Sequence, residues 1–110
     1  MDEHAPDPLQ ELRDALRRFS AERDWDRYHA PKNLAMALSV EAAELLEHFQ
    51  WLSEQESRSL SAQQLAKVRE ELADVLIYLV RLADKLDVDL MAAARDKLSV
   101  NAQKYPADKA

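Results

Sequence analysis

The chain has 110 residues, a formal charge of −6, 47% hydrophobic and 33% charged residues, and neither Cys nor Gly. This composition predicts one globular domain and argues against intrinsic disorder, while the acidic balance argues against binding to nucleic acid polymers or anionic membranes. Without Cys the chain has no disulfide or zinc–thiolate site, and without Gly it has no P-loop or other Gly-rich phosphate cradle.

The first predicted helix begins after Asp7, a favourable N-cap that is followed by Pro8, and ends near Glu22. Apolar residues recur along it at intervals of three and four, as on one side of an amphipathic helix; they are Leu9, Leu12, Leu16 and Phe19. The next segment, 23–31, has no sustained helical period, and its Pro31 disfavours helix at the preceding residue. We predict an ordered loop there.

The second predicted helix runs from Lys32 to about Leu52. Its middle is apolar on nearly every side, which is typical of a central helix that is surrounded by protein. Because a thin bundle cannot bury so apolar a helix, we also expect another subunit to cover part of it, giving a homodimer or homotetramer. The polar segment 53–59 is predicted to connect this helix to the next one.

Ser61 is a suitable N-cap for the third and longest predicted helix, which ends near Leu86. Asp87 or Asp89 can cap a fourth helix that ends before Pro106. No segment has the pattern of a strand. The expected fold class is therefore all-α, a bundle of four main helices.

We expect one domain over residues 1–110, with flexible ends at 1–7 and 106–110. The acidic start lacks the basic and apolar regions of a signal peptide, and no apolar run approaches the roughly 20 residues that span a bilayer. These features predict a cytoplasmic protein without membrane partners.

Two pairs of carboxylates interrupt the most apolar helices: Glu41 with Glu44, and Glu71 with Asp74. Residues three apart lie on one side of a helix, so each pair forms a two-carboxylate claw. Antiparallel packing of the second and third helices would bring the two claws together, and carboxylates in an apolar setting need a compensating charge. Hard oxygen ligands favour Mg²⁺, with Mn²⁺ as a substitute.

Other interpretations of the claws stay open at this point. Single Glu-x-x-Glu pairs in helical proteins are usually solvated or salt-bridged surface residues. A di-iron site is less compatible because such bundles use Glu-x-x-His pairs, although His48 follows Glu44 by four residues. The alternative function from another class is a noncatalytic acidic helical module, an oligomeric adaptor whose carboxylates bind a basic partner or structural Mg²⁺.

With these residues identified, the chain resembles a known family. Segments 41–44 and 71–74 resemble the E-x-x-E and E-x-x-D signature of the MazG-like all-α nucleotide pyrophosphohydrolases. Similarity to the dCTP pyrophosphatase branch of that family covers most of the chain, in segments 22–25, 29–34, 49–51, 70–79 and 101–106.

The resemblance implies a metal-dependent hydrolase of phosphoric anhydride bonds. An activated water would attack the α-phosphorus of a nucleoside triphosphate and release a nucleoside monophosphate and pyrophosphate. The expected substrate is dCTP or a modified pyrimidine nucleotide, and the expected role is house-cleaning of the nucleotide pool. The implied catalytic and Mg²⁺-binding residues are the claw carboxylates Glu41, Glu44, Glu71 and Asp74.

The resemblance also implies substrate contacts. Trp25, His29 and Trp51 match positions near the nucleoside, where an indole can stack on a base and a polar edge can read it. Tyr78 follows Glu71 by seven residues and therefore lies on the face of the claw. The fourth helix adds a cationic, hydrogen-bonding edge that suits phosphates and sugar; its residues are Lys97, Asn101, Lys104 and Tyr105.

The chain departs from the family pattern at two positions. Leu16 stands where animal relatives carry a His in the first helix, which leaves the selectivity for cytosine open. Val40 stands where many relatives have a second acid, and Glu47 could supply that additional ligand. Neither departure removes the claws.

Overall fold

The computed structural model describes residues 7–107, and every regular element within them is helical. The helices are α1 (Pro8–Glu22), α2 (Pro31–Glu47), α3 (Glu54–Ser57), α4 (Ala62–Lys85) and α5 (Leu90–Lys104), and a 3₁₀ turn, Asp26–Tyr28, lies in the loop between α1 and α2. The all-α prediction with four main helices is confirmed, and α3 is a short addition. The predicted flexible ends fall mostly outside the described residues.

Side chains at the helix starts explain where the helices begin. Asp7 caps α1 as predicted, because its carboxylate accepts a hydrogen bond from the backbone N–H of Leu9 at 2.9 Å. Ser61 and Gln64 form a reciprocal capping box at the start of α4. Of the two candidate caps for α5, Asp89 is the one that accepts a backbone N–H of the first turn, at 3.0 Å.

The turns that end α1 and α4 use aspartate in a left-handed conformation. Asp24 has φ 55° and Asp87 has φ 56°. Glycine normally occupies such positions, and Asp tolerates them better than most residues because its short polar side chain can hydrogen-bond locally. The helices of this Gly-free chain are therefore connected at some conformational cost.

Helix α2 ends at Glu47, before the predicted end at Leu52. A new helix begins instead, because Ser53 and Glu56 form a capping box in which Ser53 Oγ accepts the Glu56 N–H at 3.1 Å and the Glu56 carboxylate accepts the Ser53 N–H at 2.8 Å. This local pairing fixes the start of α3, while turn hydrogen bonds connect residues 48–52 to the end of α2. The predicted connection 53–59 consequently contains α3.

The central helix of the chain is α4. Helix α2 packs along it and α1 packs against it, and these are the extensive helix–helix interfaces of the part of the chain that the structure describes. The prediction that the second helix is central is wrong for the single chain. On α2 only Leu34 is fully buried, whereas Met36, Val40 and Leu46 are more than half exposed, so its apolar sides are only partly covered.

An exposed row of leucines, here called the leucine stripe, runs along α4. At about 100° per residue its members fall within an arc of about 80°. They are Leu65, Leu72, Leu76, Leu79 and Leu86, each between 36% and 55% exposed. The single chain thus leaves apolar surface on both of its principal helices. Within residues 7–107, no helix combines the length and apolarity needed to cross a membrane.

Replacement of Ser61 by Ala is expected to lower the free energy of unfolding by about 1 kcal/mol, because the capping box at α4 is lost. Urea denaturation followed by circular dichroism measures the change. Ser59→Ala is the matched control, since Ser59 is exposed and caps no helix. Equal losses in the two variants would contradict the role of the capping box.

Candidate metal centre and active site

The packing of α2 along α4 brings acidic side chains of the two helices together. One carboxylate oxygen from each of Glu41, Glu44 and Glu71 lies within 4.8 Å of the others, and all three residues are half-buried. Asp74 is also half-buried and is close enough for its charge to act on Glu41. The structure therefore joins both claws, with three carboxylates in one tight group and the fourth beside it.

Two oxygens in this group are buried without a partner. Oε2 of Glu41 and Oε2 of Glu71 are shielded from solvent and accept no hydrogen bond within the described chain. Burial, together with the neighbouring Glu44, Glu71 and Asp74, raises the pKa of Glu41 from its ordinary value of 4.5 to about 7. Buried carboxylate oxygens that lie this close together without a hydrogen-bond donor require a proton or a cation.

The donor set fits a hard divalent cation. All the candidate ligand atoms are carboxylate oxygens, and Mg²⁺ and Mn²⁺ prefer oxygen. His48 is half-buried as the C-cap of α2 and Glu47 is exposed, and neither belongs to the carboxylate group found within residues 7–107. The arrangement does not resemble the mixed Glu and His ligands of di-iron bundles.

One face of α4 carries polar and charged side chains from the claw to the helix end. At about 100° per residue they lie within an arc of about 80°, which is centred about 140° from the leucine stripe. In order they are Glu71, Asp74, Tyr78, Arg81 and Lys85. We call this the claw face; half-buried Tyr78 stands between the carboxylates and Arg81.

Arg81 forms the centre of a second charged cluster, which sequence reasoning missed. Its side chain is only 3% exposed, and its Nη2 donates to Asp26 Oδ1 at 2.6 Å. Its Nη1 lies 3.5 Å from Asp84 Oδ2, and Arg17 Nε donates to the same Asp84 oxygen at 2.8 Å. The signal in the sequence was a charged residue within the apolar pattern of α4, at a spacing that places it on the claw face.

His29 joins this cluster. Its Nδ1 lies 3.2 Å from Arg81 Nη2 and 3.4 Å from Arg81 Nε. Burial lowers the pKa of His29 below its ordinary value of 6.5, and the positive charge of Arg81 lowers it further. The imidazole is therefore neutral at physiological pH and is attached to the claw face beyond Tyr78.

The two tryptophans occupy different settings. Trp25 is 45% exposed, and its ring meets that of Phe19 edge to face, with the centroids 5.5 Å apart. Trp51 lies in the turn between α2 and α3 and is 87% exposed. Trp25 is thus anchored on α1 next to the segment that holds His29, whereas the single chain leaves the Trp51 indole open.

The predicted phosphate-binding residues of α5 are separate from the claws in the single chain. Neither of the extensive helix–helix interfaces within residues 7–107 involves α5. Asn101 is half-buried and Lys97 is exposed, while the Lys104 ammonium lies 5.3 Å from the centroid of the Tyr105 ring, itself 67% exposed. Within residues 7–107, neither lysine of this set forms an ion pair with a claw carboxylate.

The structure has a cavity that the claws do not line. It has a volume of about 140 Å³ and lies between the start of α1, the end of α4 and the start of α5, where Arg13 and Asp84 are among its lining residues. The carboxylates of Glu41 and Glu71 do not contribute to it.

The carboxylate geometry can be compared with known proteins. The sequence profile of the MazG-like family matches residues 36–110. The chain belongs to the MazG-like family. Human dCTP pyrophosphatase 1 is 44% identical to it over 106 residues, which cover 94% of this chain and 62% of the human protein. The rat protein of that name is 45% identical over 105 residues, covering 93% and 62%.

A solved structure is similar over nearly the whole length. The crystal structure of a pyrophosphatase from Archaeoglobus fulgidus matches this MazG-like chain with a TM-score of 0.88 and 43% identity, covering 96% of this chain and 98% of that one. By contrast, the chain spans less than two thirds of the length of the mammalian relatives. The common part is the helical domain that carries the claws.

In the metal-free protein, the free energy of unfolding is expected to fall as the pH rises from about 4.5 to about 7. The reason is that the folded state retains the Glu41 proton, which the unfolded chain has already released. Urea denaturation across this range measures the slope. A divalent cation such as Mg²⁺ should restore stability above pH 7 if the claws of the folded state bind it.

Glu41→Gln is expected to flatten this pH dependence. Glu70→Gln is the control, since Glu70 is an exposed acid next to the claw and should leave the slope as in the wild type. The same slope in Glu41→Gln and in the wild type would rule out Glu41 as its source.

Proposed function

We propose that this protein is a Mg²⁺-dependent nucleoside triphosphate pyrophosphohydrolase that converts a (d)NTP into the monophosphate and pyrophosphate. The observation that carries the proposal is the group of acidic side chains between α2 and α4, with unpartnered buried oxygens on Glu41 and Glu71. Membership of the MazG-like family and relatives named dCTP pyrophosphatase support this reaction class. We propose dCTP or a modified pyrimidine nucleotide as substrate, and house-cleaning of the cytoplasmic nucleotide pool as the role.

The four claw carboxylates would hold the metal. Mg²⁺ bound there supplies neutralisation of phosphate charge and a lower pKa for water, with Mn²⁺ as a substitute. The claws would hold this positive charge where the α-phosphate binds, and one of their carboxylates would accept the proton of the attacking water. Attack forms a bond from water oxygen to the α-phosphorus and breaks the bond to the bridging oxygen, so that pyrophosphate leaves. The carboxylates are Glu41, Glu44, Glu71 and Asp74.

The remaining predicted residues would bind the rest of the nucleotide. The segment with Trp25 and His29 is attached to the claw face and can meet the base, and Tyr78 lies between it and the claws. Trp51 is exposed in the single chain, so another segment would have to cover the surface around its indole before the indole can enclose a base. Residues of α5 would contact phosphates and sugar; they are Lys97, Asn101, Lys104 and Tyr105.

We propose a homodimer or homotetramer as the active form. The leucine stripe and the exposed apolar residues of α2 support association, because contiguous apolar surface of this kind usually marks an interface. A second copy would also cover part of the surface around the half-buried claws and could place α5 residues over a neighbouring site. The assembly is thus part of the proposed catalytic site.

Leu72→Glu is expected to shift the protein to a smaller species, because it places a charge in the leucine stripe. Analytical ultracentrifugation measures the mass. Ala66→Glu is the control, since Ala66 is exposed on a different side of α4. A monomeric wild type, or an unchanged mass for Leu72→Glu, would contradict association through this stripe.

The alternative function is the noncatalytic acidic adaptor, in which the claws bind a basic partner or structural Mg²⁺. It predicts no turnover of any nucleotide. A further enzymatic alternative is a phosphatase, or a pyrophosphohydrolase that acts on another phosphorylated metabolite. Attack at the γ-phosphorus would release orthophosphate, whereas attack at the α-phosphorus releases pyrophosphate.

The test of the proposal is incubation of the purified protein with Mg²⁺ and a panel of canonical and modified nucleoside triphosphates, with separation of all phosphate products. Monophosphate and pyrophosphate are expected in equal amounts. Glu71→Gln should leave the protein folded and lower kcat/KM by more than about 100-fold. Loss of a residue that only hydrogen-bonds to a metal ligand already costs up to about 100-fold, and Glu71 is a proposed ligand itself. Glu70→Gln should keep wild-type activity.

Absence of turnover of every nucleotide with both Mg²⁺ and Mn²⁺ would overturn the enzymatic proposal and favour the adaptor. Orthophosphate with a diphosphate as the products would favour the phosphatase. Full activity in Glu71→Gln would place the chemistry elsewhere in the protein.

A further inference from the structure

Arg81 is the most deeply buried charged side chain of the described residues, at 3% exposure. Its guanidinium contacts the loop before α2 through Asp26 and His29, and its own helix through Asp84. A buried charge persists only when it is paired and fully hydrogen-bonded, so these contacts fix its position. Asp84 is held in turn by Arg17, which lowers the pKa of that carboxyl below its ordinary value.

The contact between Arg81 and His29 determines where the imidazole proton sits. Guanidinium nitrogens are donors only and do not lose their protons in proteins. Both Arg81 Nη2, at 3.2 Å, and Arg81 Nε, at 3.4 Å, face Nδ1 of His29. Nδ1 must therefore present its lone pair, and the proton of the neutral ring is on Nε2.

The surrounding charges keep the ring neutral. Arg81 and Lys85 both oppose a positive charge on His29, and Asp26 is the group that favours it. Asp26 is already engaged, because its Oδ1 accepts from Arg81 at 2.6 Å and lies 3.4 Å from the Lys85 ammonium. Together with burial, this balance lowers the pKa of His29. No hydrogen bond within residues 7–107 uses His29 Nε2.

The cluster is placed at a useful distance from the claws. Arg81 follows Asp74 by seven residues on the claw face, which is about 10 Å along the helix axis. Tyr78 occupies the interval. A phosphate at the carboxylates would thus leave room for a sugar and a base to extend toward His29.

We infer that Arg81 is a positioning residue: held by Asp26 and Asp84, it fixes His29 in the Nε2–H tautomer and so makes this ring a hydrogen-bond donor to an acceptor atom of the substrate base. The part that concerns the base rests on the proposed nucleotide hydrolysis, whereas the part that concerns the tautomer does not. A donor at Nε2 favours bases that present a carbonyl oxygen or an unprotonated ring nitrogen, and it disfavours an amino group at the same place.

The tautomer can be measured in the full-length wild-type protein without any substrate. Long-range ¹H–¹⁵N correlation spectra of the ¹⁵N-labelled chain report which ring nitrogen carries the proton, and His29→Gln identifies the signals. We expect an unprotonated Nδ1 and a protonated Nε2 at pH 7, with loss of neutrality only below the ordinary pKa of 6.5. A proton on Nδ1, or a cationic ring at pH 7, would overturn the inference.

Variants of Arg81 then test the cause. Arg81→Met keeps an unbranched apolar stem but removes the donors, so the His29 signals should move to a mixture of tautomers. Arg81→Lys, which is also a donor-only cation, should restore the wild-type tautomer at least in part. Arg69→Met is the control, because Arg69 is an exposed arginine of the same helix. Unchanged His29 signals in Arg81→Met would exclude Arg81 as the cause.

If Arg81→Met does not fold, Asp26→Asn provides the second variant. It weakens the hold on Arg81 from an exposed site, and the His29 signals are again expected to show mixed tautomers. A wild-type spectrum in a folded Asp26→Asn protein would contradict the role of this ion pair.

Kinetics tests the substrate part separately. In Arg81→Met, KM for the best nucleotide should rise about tenfold, the effect of one misdirected hydrogen bond, while kcat changes little. A fall in kcat with unchanged KM would contradict a role in base binding. If the wild type hydrolyses no nucleotide, the proposed function fails, whereas the spectra still decide the relation between Arg81 and His29.

Discussion

Repulsion between carboxylates at the contact of α2 with α4 is the constraint on which the rest of this structure depends. Packed helices usually meet through apolar side chains, yet here Glu41 and Glu71 face each other with buried, unpartnered oxygens. Such a contact is stable only if a proton or a cation removes part of the charge. The side chains that weaken the helix pair are therefore the candidate ligands of a cation, and folding would be coupled to occupancy of the site that we propose.

The claw face of α4 carries two groups of buried charges, and the two groups are neutralised in different ways. At the claws, the acids form no ion pair with a basic residue of the described part of the chain, so that a proton or a cation from outside has to balance them. About two turns beyond Asp74, Arg81 is paired with Asp26 and Asp84, so that its charge is balanced within the chain. The first centre can respond to an ion, while the second is fixed and gives a constant orientation to the loop that carries His29. A fixed cluster around Arg81 next to carboxylates that can bind an ion suits a site that has to align a flexible ligand.

Local chemistry predicted the features that depend on neighbours in sequence. Capping residues such as Asp7 and Ser61 act within one helical turn, and the spacing of the claw acids follows directly from helical geometry. The end of α2 lies earlier than predicted, because the backbone N–H groups of His48, Phe49 and Leu52 bond three residues back, as in turns. The apolar residues before this point do not reveal the change.

Features that depend on distant segments were not predictable in this way. Arg81 meets Asp26 across 55 positions of sequence and His29 across 52, and no periodicity connects them. The apolar composition of α2 does not reveal which of its sides this chain covers, so α4 took the central position that the pattern had assigned to α2.

The left-handed aspartates Asp24 and Asp87 also bear on the unfolded chain. A sequence without glycine has a Cβ atom at every position, which restricts the backbone of the denatured ensemble and reduces the entropy that folding must remove. The free-energy cost of two left-handed residues in the native state is thus offset by the smaller conformational entropy of the denatured state. For a chain with few fully buried apolar side chains, such as Leu34 and Val80, this is a source of stability that lies outside the native contacts.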